Sequence, residues 1–154
     1  MSEGGATEIW FYHLEQRSLE EVLPNLLERS LERGWRAAVQ ATSEERVEAL
    51  DTLLWTYAEE SFLAHGTIRD GDPAMQPIYL TAGPENPNQA QVRFLVDGAE
   101  LDDAGAYNRV VFLFDGRDKS AVARARAAWQ EAKAKGFEVS YWQQDTDGRW
   151  QKRA

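Results

Sequence analysis

The chain has 154 residues, of which 43% are hydrophobic, and it contains no cysteine. Its size and composition are those of one globular domain, and the lack of cysteine excludes disulfides, thiolate metal sites and a cysteine nucleophile. The net charge of −9 argues against binding of the chain as a whole to nucleic acid, because such binding depends on clustered lysine and arginine.

The predicted elements alternate between strands and helices along the chain. After a leader at 1–7 that we expect to be disordered, they are a strand at 8–13, a helix at 18–34, a strand at 35–41, a helix opening at 42–45, short strands at 61–63 and 77–80, strands at 91–96 and 109–114, a helix at 118–135 and a strand at 137–143. This order predicts a single α/β domain spanning 8–144, with a Rossmann-like, mostly parallel sheet flanked by helices on both faces. Residues 145–154 are predicted to be a frayed tail.

Polar residues mark the predicted starts of the first two helices. Ser18 with Glu21, and Thr42 with Glu45, have the spacing of capping boxes, in which each side chain bonds to the backbone of the other residue. Pro24 lacks a backbone donor and clashes with the preceding turn, so it predicts an irregular first turn in the first helix.

The segment 50–65 carries the most informative pattern in the chain. One helical stripe is apolar at positions i, i+3, i+4 and i+7, which are Leu50, Leu53, Leu54 and Tyr57. Trp55 lies about 140° round the helix from Leu50 and is close in sequence to the apolar pair Phe62-Leu63. A tryptophan off the buried stripe is a candidate anchor for a partner protein, because tryptophan is enriched at interface hot spots. The alternative is that Trp55 packs under the loop that follows it.

The first strand–helix turn lacks the residues of a nucleotide site. A dinucleotide-binding fold needs glycines in this turn so that the backbone can approach the phosphates, whereas residues 14–17 are Leu-Glu-Gln-Arg. No phosphate-binding P-loop motif occurs in the chain. We therefore predict a Rossmann-like fold with no dinucleotide-binding glycine loop and no cofactor.

Few residues suggest catalysis or metal binding. The two histidines, His13 and His65, do not have the spacing of metal ligands. His13 ends the first predicted strand, near where open α/β sheets bind ligands, but the sequence identifies no catalytic partner for it. We predict no catalytic and no metal-binding residue; the alternative is a small nucleotide-binding protein or hydrolase that uses His13 and Asp115. The paired acidic residues in loops are predicted to be solvated turns: Asp70, Asp72, Asp102 and Asp103.

The last predicted helix is basic in an acidic protein. Residues 117–135 contain six basic and two acidic residues, a local net charge of +4. On a helical wheel the buried face is centred on Ala121, Ala125, Ala128 and Ala132. Arg126, Trp129 and Lys133 are neighbours just beyond the edge of this face. An aromatic wall beside two cations suits an acidic peptide that ends in an aromatic residue, because a guanidinium can bind its terminal carboxylate. The alternatives are that Trp129 is ordinary core beside a solvated rim, or that the cations hold phosphate.

These elements resemble the chi subunit family of bacterial DNA polymerase III. The similarity runs from Phe11-Tyr12 to Val139 and includes Ala41 with the helix after it, Leu50-Asp51, Leu54-Trp55, Ser61-Phe62-Leu63, His65, the Arg126–Trp129 stretch and Gly136-Phe137. The resemblance implies a Rossmann-like fold without catalysis, in an accessory subunit of the clamp loader. Members of this family join the clamp loader through a small subunit, psi, and bind the acidic C-terminal tail of the single-stranded DNA-binding protein (SSB).

The resemblance implies two binding surfaces when it is carried over position by position. The psi-facing residues would be Trp55, Phe62 and Leu63. The tail-binding residues would be Arg126, Trp129, Gln130 and Lys133. Gln130 departs from the family, which has a basic residue there, and Lys133 one turn later is placed to compensate. Ala64 also departs from the family, in which proline usually precedes the histidine.

The sequence therefore predicts a non-enzymatic adaptor in DNA replication, within the DNA polymerase III holoenzyme. Its expected partners are psi and the SSB tail, with DNA contacted only indirectly; a direct binder of single-stranded DNA is a further alternative. The polar N-terminus shows no signal peptide, and no apolar run is long enough to span a membrane. We accordingly expect a cytoplasmic protein.

Overall fold

The computed structural model describes residues 7–57, 65–67, 70–101, 103–147 and 149–153. Its strands are β1 (Glu8–Leu14), β2 (Ala37–Gln40), β3 (His65–Gly66), β4 (Ile78–Thr81), β5 (Val92–Leu95), β6 (Arg109–Asp115), β7 (Glu138–Gln144) and β8 (Trp150–Lys152). Its helices are α1 (Leu19–Glu32), α2 (Glu44–Thr56) and α3 (Lys119–Ala134), with short 3-10 turns at Pro73–Met75 and Ala104–Ala106. The strand predicted at 61–63 lies outside the described residues.

The strands form one sheet in the order β3-β4-β2-β5-β6-β1-β7-β8. All neighbouring strands are parallel except β7 and β8, which are antiparallel. Parallel strands need a crossover connection, and α1 joins β1 to β2 while α3 joins β6 to β7. The predicted α/β fold with a mostly parallel sheet is confirmed.

Helices cover both faces of the sheet, as predicted. On the face that packs against α1 and α2, β1 contributes Tyr12 and Leu14 to the core. On the opposite face β1 contributes Ile9 and Phe11, which share a core with Ala125 of α3. Alternate residues of β1 enter different cores because successive side chains of a strand point to opposite faces of the sheet.

Helix α1 begins at Leu19 despite the proline near its start. The Ser18 hydroxyl accepts a hydrogen bond from the backbone nitrogen of Glu21 at 3.3 Å, and the Glu21 carboxylate accepts one from Ser18 N at 2.8 Å, which completes the predicted capping box. The prediction of an irregular first turn is wrong, because the helix continues from Leu19 to Glu32 with Pro24 buried inside it. Burial of the proline ring adds apolar area to the core and offsets the backbone bond that proline cannot make.

Helix α2 begins one residue later than its sequence pattern predicts. The N-cap is Ser43, whose hydroxyl accepts a hydrogen bond from Arg46 N at 3.2 Å. Thr42 is therefore not the capping residue. Serine and threonine are both good N-caps, so the sequence offers two adjacent starts for the helix. The direction in which the chain leaves β2 decides between them.

The C-terminal segment contains a strand where the sequence predicts a frayed tail. Strand β8 pairs with β7, and Trp150 stacks on Tyr12 with ring centroids 4.6 Å apart. The turn between the two strands is closed by Asp145, whose carboxylate accepts hydrogen bonds from Asp147 N and Arg149 N, each at 2.9 Å. Cross-strand pairing and aromatic stacking stabilise this strand. The sequence does not predict it, because three residues are too few to show the alternation of a strand.

The face of the sheet that packs against α3 is also covered by loops. These loops surround a buried arginine. Arg93 on β5 has 0% exposure. Its guanidinium donates hydrogen bonds to Gln40 Oε1 (3.0 Å), the Tyr107 hydroxyl (3.1 Å) and the carbonyl oxygens of Gly83 (2.6 Å) and Glu85 (2.9 Å). A buried charge is tolerated when its donors are paired, so these bonds tie the surrounding loops to β5.

No helix in the described parts of the chain is both long and apolar enough to cross a membrane. The same residues contain no group of three or more side chains of the metal-binding types gathered around one point. Asp70 and Asp72 instead accept hydrogen bonds from the backbone nitrogens of Thr67 and Ala74, at 2.9 and 3.1 Å, as expected for acidic residues in turns.

Candidate functional site

Two residues of the predicted apolar stripe of α2 are buried, the other two, Leu53 and Tyr57, are half-buried, and Trp55 lies outside the stripe. Leu50 and Leu54 are 1% and 2% exposed, whereas Trp55 is 60% exposed. The loop of the alternative interpretation begins at residue 58 and lies outside the described residues. The other two residues predicted to face psi, Phe62 and Leu63, lie outside the described residues.

A buried histidine supports the exposed tryptophan. The rings of Trp55 and His65 have centroids 4.9 Å apart and an interplanar angle of 60°. The side chain of His65 is 1% exposed, and its Nε2 lies 3.0 Å from Asp51 Oδ1. We call Trp55, His65 and Asp51 the Trp55 surface. Its indole is held from inside the protein while most of the ring faces solvent.

Helix α3 has the faces that its sequence predicts. Two alanines of the predicted buried face, Ala125 and Ala132, are buried, and Ala128 is half-buried. Trp129 is half-buried at the edge of this face. The polar residues predicted to bind the tail are exposed: Arg126, Gln130 and Lys133.

Three of the four predicted tail-binding residues line one cavity. The cavity, which we call the α3 pocket, has a volume of about 230 Å³. Its walls are Arg126, Trp129, Gln130 and Tyr141. Lys133 is not part of these walls. Its Nζ lies 4.6 Å from the centroid of the Trp129 ring, a cation–π contact beside the pocket.

Tyr141 is the wall that sequence reasoning missed. It lies on β7, and together with Phe137 and Val139 it packs against the core beneath α3. Burial raises the pKa of the Tyr141 hydroxyl, opposed by the nearby Arg126 guanidinium and reinforced by Glu15. The signal was present in the alternation of residues 137–143, which places Tyr141 on the side of the strand that faces α3.

A larger cavity lies at the carboxyl end of the sheet, between β1 and β6. Its volume is about 770 Å³, and its walls include Leu14, Ser18, Leu95, Asp97, Asp115 and Arg124. The chain leaves β1 towards α1 on one face and leaves β6 towards α3 on the other. Open α/β sheets bind ligands at such switch points, so this is where a nucleotide would be expected.

The backbone donors of the turn that follows β1 are already bound within the protein. Gln144 Oε1 accepts hydrogen bonds from Gln16 N and Arg17 N, each at 3.1 Å, and from Glu15 N at 3.4 Å. Gln144 is 3% exposed, so its amide is enclosed beneath this turn. A neutral side chain from β7 thus takes the position of an anion, in agreement with the predicted lack of a dinucleotide-binding loop.

His13 and Asp115 are not arranged as a catalytic pair. His13 Nδ1 lies 2.6 Å from the Tyr141 hydroxyl, and its Nε2 lies 3.5 Å from Glu15 Oε2. Asp115 accepts hydrogen bonds from the backbone nitrogen and the Nε of Arg117, at 2.9 and 3.3 Å. The backbone bond from Arg117 is the main reason that the pKa of Asp115 is lowered. Each of the two residues is hydrogen-bonded to a different neighbour, and Asp115 acts on His13 only through its charge.

Comparisons with known proteins agree with the resemblance drawn from the sequence. Residues 6–140 match the family described as "DNA polymerase III chi subunit, HolC". A relative from Rickettsia prowazekii (strain Madrid E), described as "Probable DNA polymerase III subunit chi", is 30% identical over 90 residues, which are 58% of this chain and 54% of the relative. The chain therefore matches about half the length of that relative. Because the family match extends over most of the sequence, this protein belongs to the DNA polymerase III chi subunit family.

Proposed function

We propose that this protein is a non-catalytic accessory subunit of the DNA polymerase III clamp-loader complex in DNA replication. In this proposal psi binds the Trp55 surface, and the acidic C-terminal tail of SSB binds the α3 pocket. The observation that carries the proposal is the α3 pocket itself, in which the exposed Arg126 adjoins a cavity walled by Trp129 and Tyr141.

The chemistry of the α3 pocket suits a peptide that ends in an aromatic residue. The rings of Trp129 and Tyr141 offer apolar walls to the terminal side chain. Arg126 is exposed beside them, and a guanidinium binds a terminal carboxylate through two parallel hydrogen bonds. Gln130 adds an amide that can bond to the peptide backbone.

Charge distribution supports an acidic ligand at this helix. Residues 117–135 carry a net charge of +4 in a protein of net charge −9. A local positive potential in an acidic protein draws an acidic peptide to α3 and away from the rest of the surface. The overall negative charge disfavours direct contact with DNA, so DNA is reached through SSB.

The Trp55 surface has the properties of a docking anchor. A tryptophan that is 60% exposed leaves a large apolar area in water, and burial of that area against a partner is favourable. Contact with the buried His65 restricts the ring before the partner arrives, which lowers the entropy lost on binding. Phe62 and Leu63 extend this proposed surface by their positions in the sequence.

Two modest contacts are sufficient for an adaptor. Many SSB tails are displayed along one coated strand, and each release of a tail leaves others at high effective concentration. Psi would meanwhile keep the protein on the clamp loader. The combined attachment therefore exceeds either single affinity without any additional contact.

The test is fluorescence anisotropy with a labelled peptide that copies the C-terminal tail of the organism's SSB, beside the same peptide with an amidated C-terminus. We expect the free acid to bind, amidation to abolish most of the binding, and added salt to weaken it through screening. Equal binding of the two peptides would contradict recognition of the terminal carboxylate. Failure of both to bind would overturn the tail-binding proposal.

Two further measurements separate the alternatives. A gel shift with single-stranded DNA at low salt is expected to show no complex with the isolated protein. A thermal-shift screen with nucleotides is expected to show no stabilisation, because Gln144 occupies the donors of the first turn. Stabilisation by a nucleotide would revive the nucleotide-binding or hydrolase alternative.

A further inference from the structure

The Tyr141 wall of the α3 pocket is joined to a buried histidine on another strand. The Tyr141 hydroxyl and His13 Nδ1 are 2.6 Å apart, and the ring centroids are 5.8 Å apart. His13 is 9% exposed. A short hydrogen bond to a buried partner restrains the Tyr141 ring, so β1 determines where this wall of the pocket lies.

The histidine itself has little room to move. Its ring lies edge-on to Phe114, with centroids 5.3 Å apart. The backbone of Gly116 passes so close that a methyl group built there would overlap the His13 ring. Any change at His13 is therefore transmitted to Tyr141 more readily than it is absorbed by movement of the imidazole.

Charged and titratable groups face His13 and Tyr141 from the elements packed against them. Directly after β1, Glu15 Oε2 lies 3.5 Å from His13 Nε2. At the end of β6, the carboxylate of Asp115 interacts electrostatically with His13. From α3, the Arg126 guanidinium interacts electrostatically with Tyr141. His13 thus lies between two carboxylates and the wall of a pocket that contains a cation.

We propose that His13 is a positioning residue of the α3 pocket that acts through Tyr141, and that protonation of His13 tightens binding of the acidic tail. The inference rests on the proposed function, because it concerns the same peptide in the same pocket. It adds two residues, one on β1 and one on β7, to a site predicted from α3 alone.

The direction of the effect follows from hydrogen-bond chemistry. In this proposal the neutral ring carries its proton on Nε2, and Nδ1 accepts a hydrogen bond from the Tyr141 hydroxyl. A second proton on Nδ1 reverses that bond, because Nδ1 then donates to the Tyr141 oxygen. The hydroxyl proton has to find another acceptor, and the carboxylates of the tail supply one.

The experiment measures the affinity of the labelled tail peptide at pH values of about 5.5 and about 8, which bracket the titration of histidine. The proteins compared are wild type, His13→Gln, Tyr141→Phe and His65→Gln. The chain has only two histidines, so His65→Gln is the matched control for any other effect of pH. We expect wild type and His65→Gln to bind about two- to fivefold more tightly at the lower pH, as for one additional hydrogen bond.

The two variants at the site are expected to lose this response for different reasons. His13→Gln keeps a hydrogen-bonding partner for Tyr141 but does not titrate. Tyr141→Phe keeps the ring as a wall of the pocket but has no hydroxyl to reorient. Circular dichroism shows whether both variants keep the fold, and His65→Gln, which lies outside the pocket, gives the affinity of an intact pocket.

Each outcome decides between the inference and the function on which it rests. Equal affinity of wild type at the two pH values, or an unchanged response in His13→Gln, overturns the inference and leaves tail binding intact. A response that persists in Tyr141→Phe overturns the role of Tyr141. Absence of binding by wild type at both pH values overturns the proposed function as well. If His13→Gln does not fold, as judged by circular dichroism, Tyr141→Phe decides.

Discussion

Gln144 Oε1 lies 3.1 Å from the backbone nitrogen of Arg17, so a side chain from β7 closes the turn that follows β1. The same oxygen lies 3.1 Å from Gln16 N. In nucleotide-binding proteins of this architecture, the corresponding turn faces a phosphate. Here an uncharged group of the chain itself satisfies those donors, and the surfaces proposed for binding lie on helices instead.

Removal of the Gln144 amide should destabilise the fold. Gln144→Ala leaves three part-buried backbone donors of the first turn without an acceptor, and we expect a loss of about 1–3 kcal/mol in the free energy of unfolding by urea. The matched control is Gln143→Ala, which removes one half-buried contact with Glu15 and should cost less than about 1 kcal/mol. Similar losses in the two variants would contradict the role assigned to Gln144.

The two cations near the α3 pocket should differ in their contribution to tail binding. Arg126 lines the cavity, whereas Lys133 contacts the Trp129 ring from beside it. We expect Arg126→Ala to weaken tail-peptide binding at least about tenfold, and Lys133→Ala only about two- to threefold. Lys119→Ala, on the same helix, is the control for a general loss of positive charge. Equal affinities for wild type and Arg126→Ala in the anisotropy titration would remove Arg126 from the site.

The Trp55 surface makes a specific prediction for psi. Trp55 and Met75 are both large, apolar and exposed, at 60% and 68%, but the proposal assigns only Trp55 to the interface. We expect Trp55→Ala to weaken psi binding by about 2–4 kcal/mol, as at an interface hot spot. Met75→Ala should leave it unchanged. Calorimetric titration of psi into the two variants measures the difference in affinity. Comparable losses of affinity would contradict the assignment of Trp55, and not Met75, to the interface.

Replacement of the buried Arg93 should be among the most damaging single changes. Arg93→Met keeps much of the side-chain volume but leaves the acceptors on Gln40, Gly83 and Glu85 without their donor. We expect a loss of about 2–4 kcal/mol in the free energy of unfolding, because several acceptors inside the protein lose a hydrogen bond. Arg36→Met provides the control, because the exposed Arg36 also donates to backbone carbonyls and its loss should cost about 1 kcal/mol or less.

Glu85 should make stability depend on pH. Burial raises the pKa of its carboxyl group, but hydrogen bonds from Thr81 and Tyr79 and the charge of Arg93 outweigh burial and hold the pKa below its ordinary value. The folded state therefore binds this proton less tightly than the unfolded chain does. The stabilisation is complete above the ordinary glutamate pKa of about 4.3 and is lost as the pH falls through the lowered value.

The corresponding measurement is urea unfolding of wild type and Glu85→Gln across the acid range. We expect the variant to be less stable than wild type near neutral pH, with a difference that shrinks at pH values below about 4. A difference that stays constant over this range would show that the ionised carboxylate is not the source of the stabilisation.

Local patterns predicted most of the secondary structure. The alanine spacing of α3 and the aromatic run of β1 specify a helix face and a strand from contiguous residues, and both elements are where the sequence predicts them. The failures lie where local signals compete or are too short. Pro24 lies inside a helix because its ring is buried. Strand β8 forms because it pairs with β7 and because Trp150 stacks on Tyr12.

The α3 pocket combines residues that local sequence patterns predict with residues that only tertiary contacts bring to the site. Arg126, Trp129 and Gln130 are neighbours on one helix, so helical geometry brings them together without knowledge of the rest of the fold. Tyr141 comes from a different element, and its partner His13 is 128 residues away along the chain. No periodicity in the sequence predicts which residue of β7 meets which residue of β1.

By itself, the sequence determined the fold class, the lack of a glycine-rich phosphate loop, the basic helix in an acidic chain and the resemblance to the chi subunit family. Those properties depend on residue types and on spacings within single elements. Only the tertiary structure decided that Gln144 fills the first turn, that Tyr141 completes the pocket and that His13 holds Tyr141. The reason is physical: these contacts depend on the register of parallel strands, which is set by packing of the whole sheet.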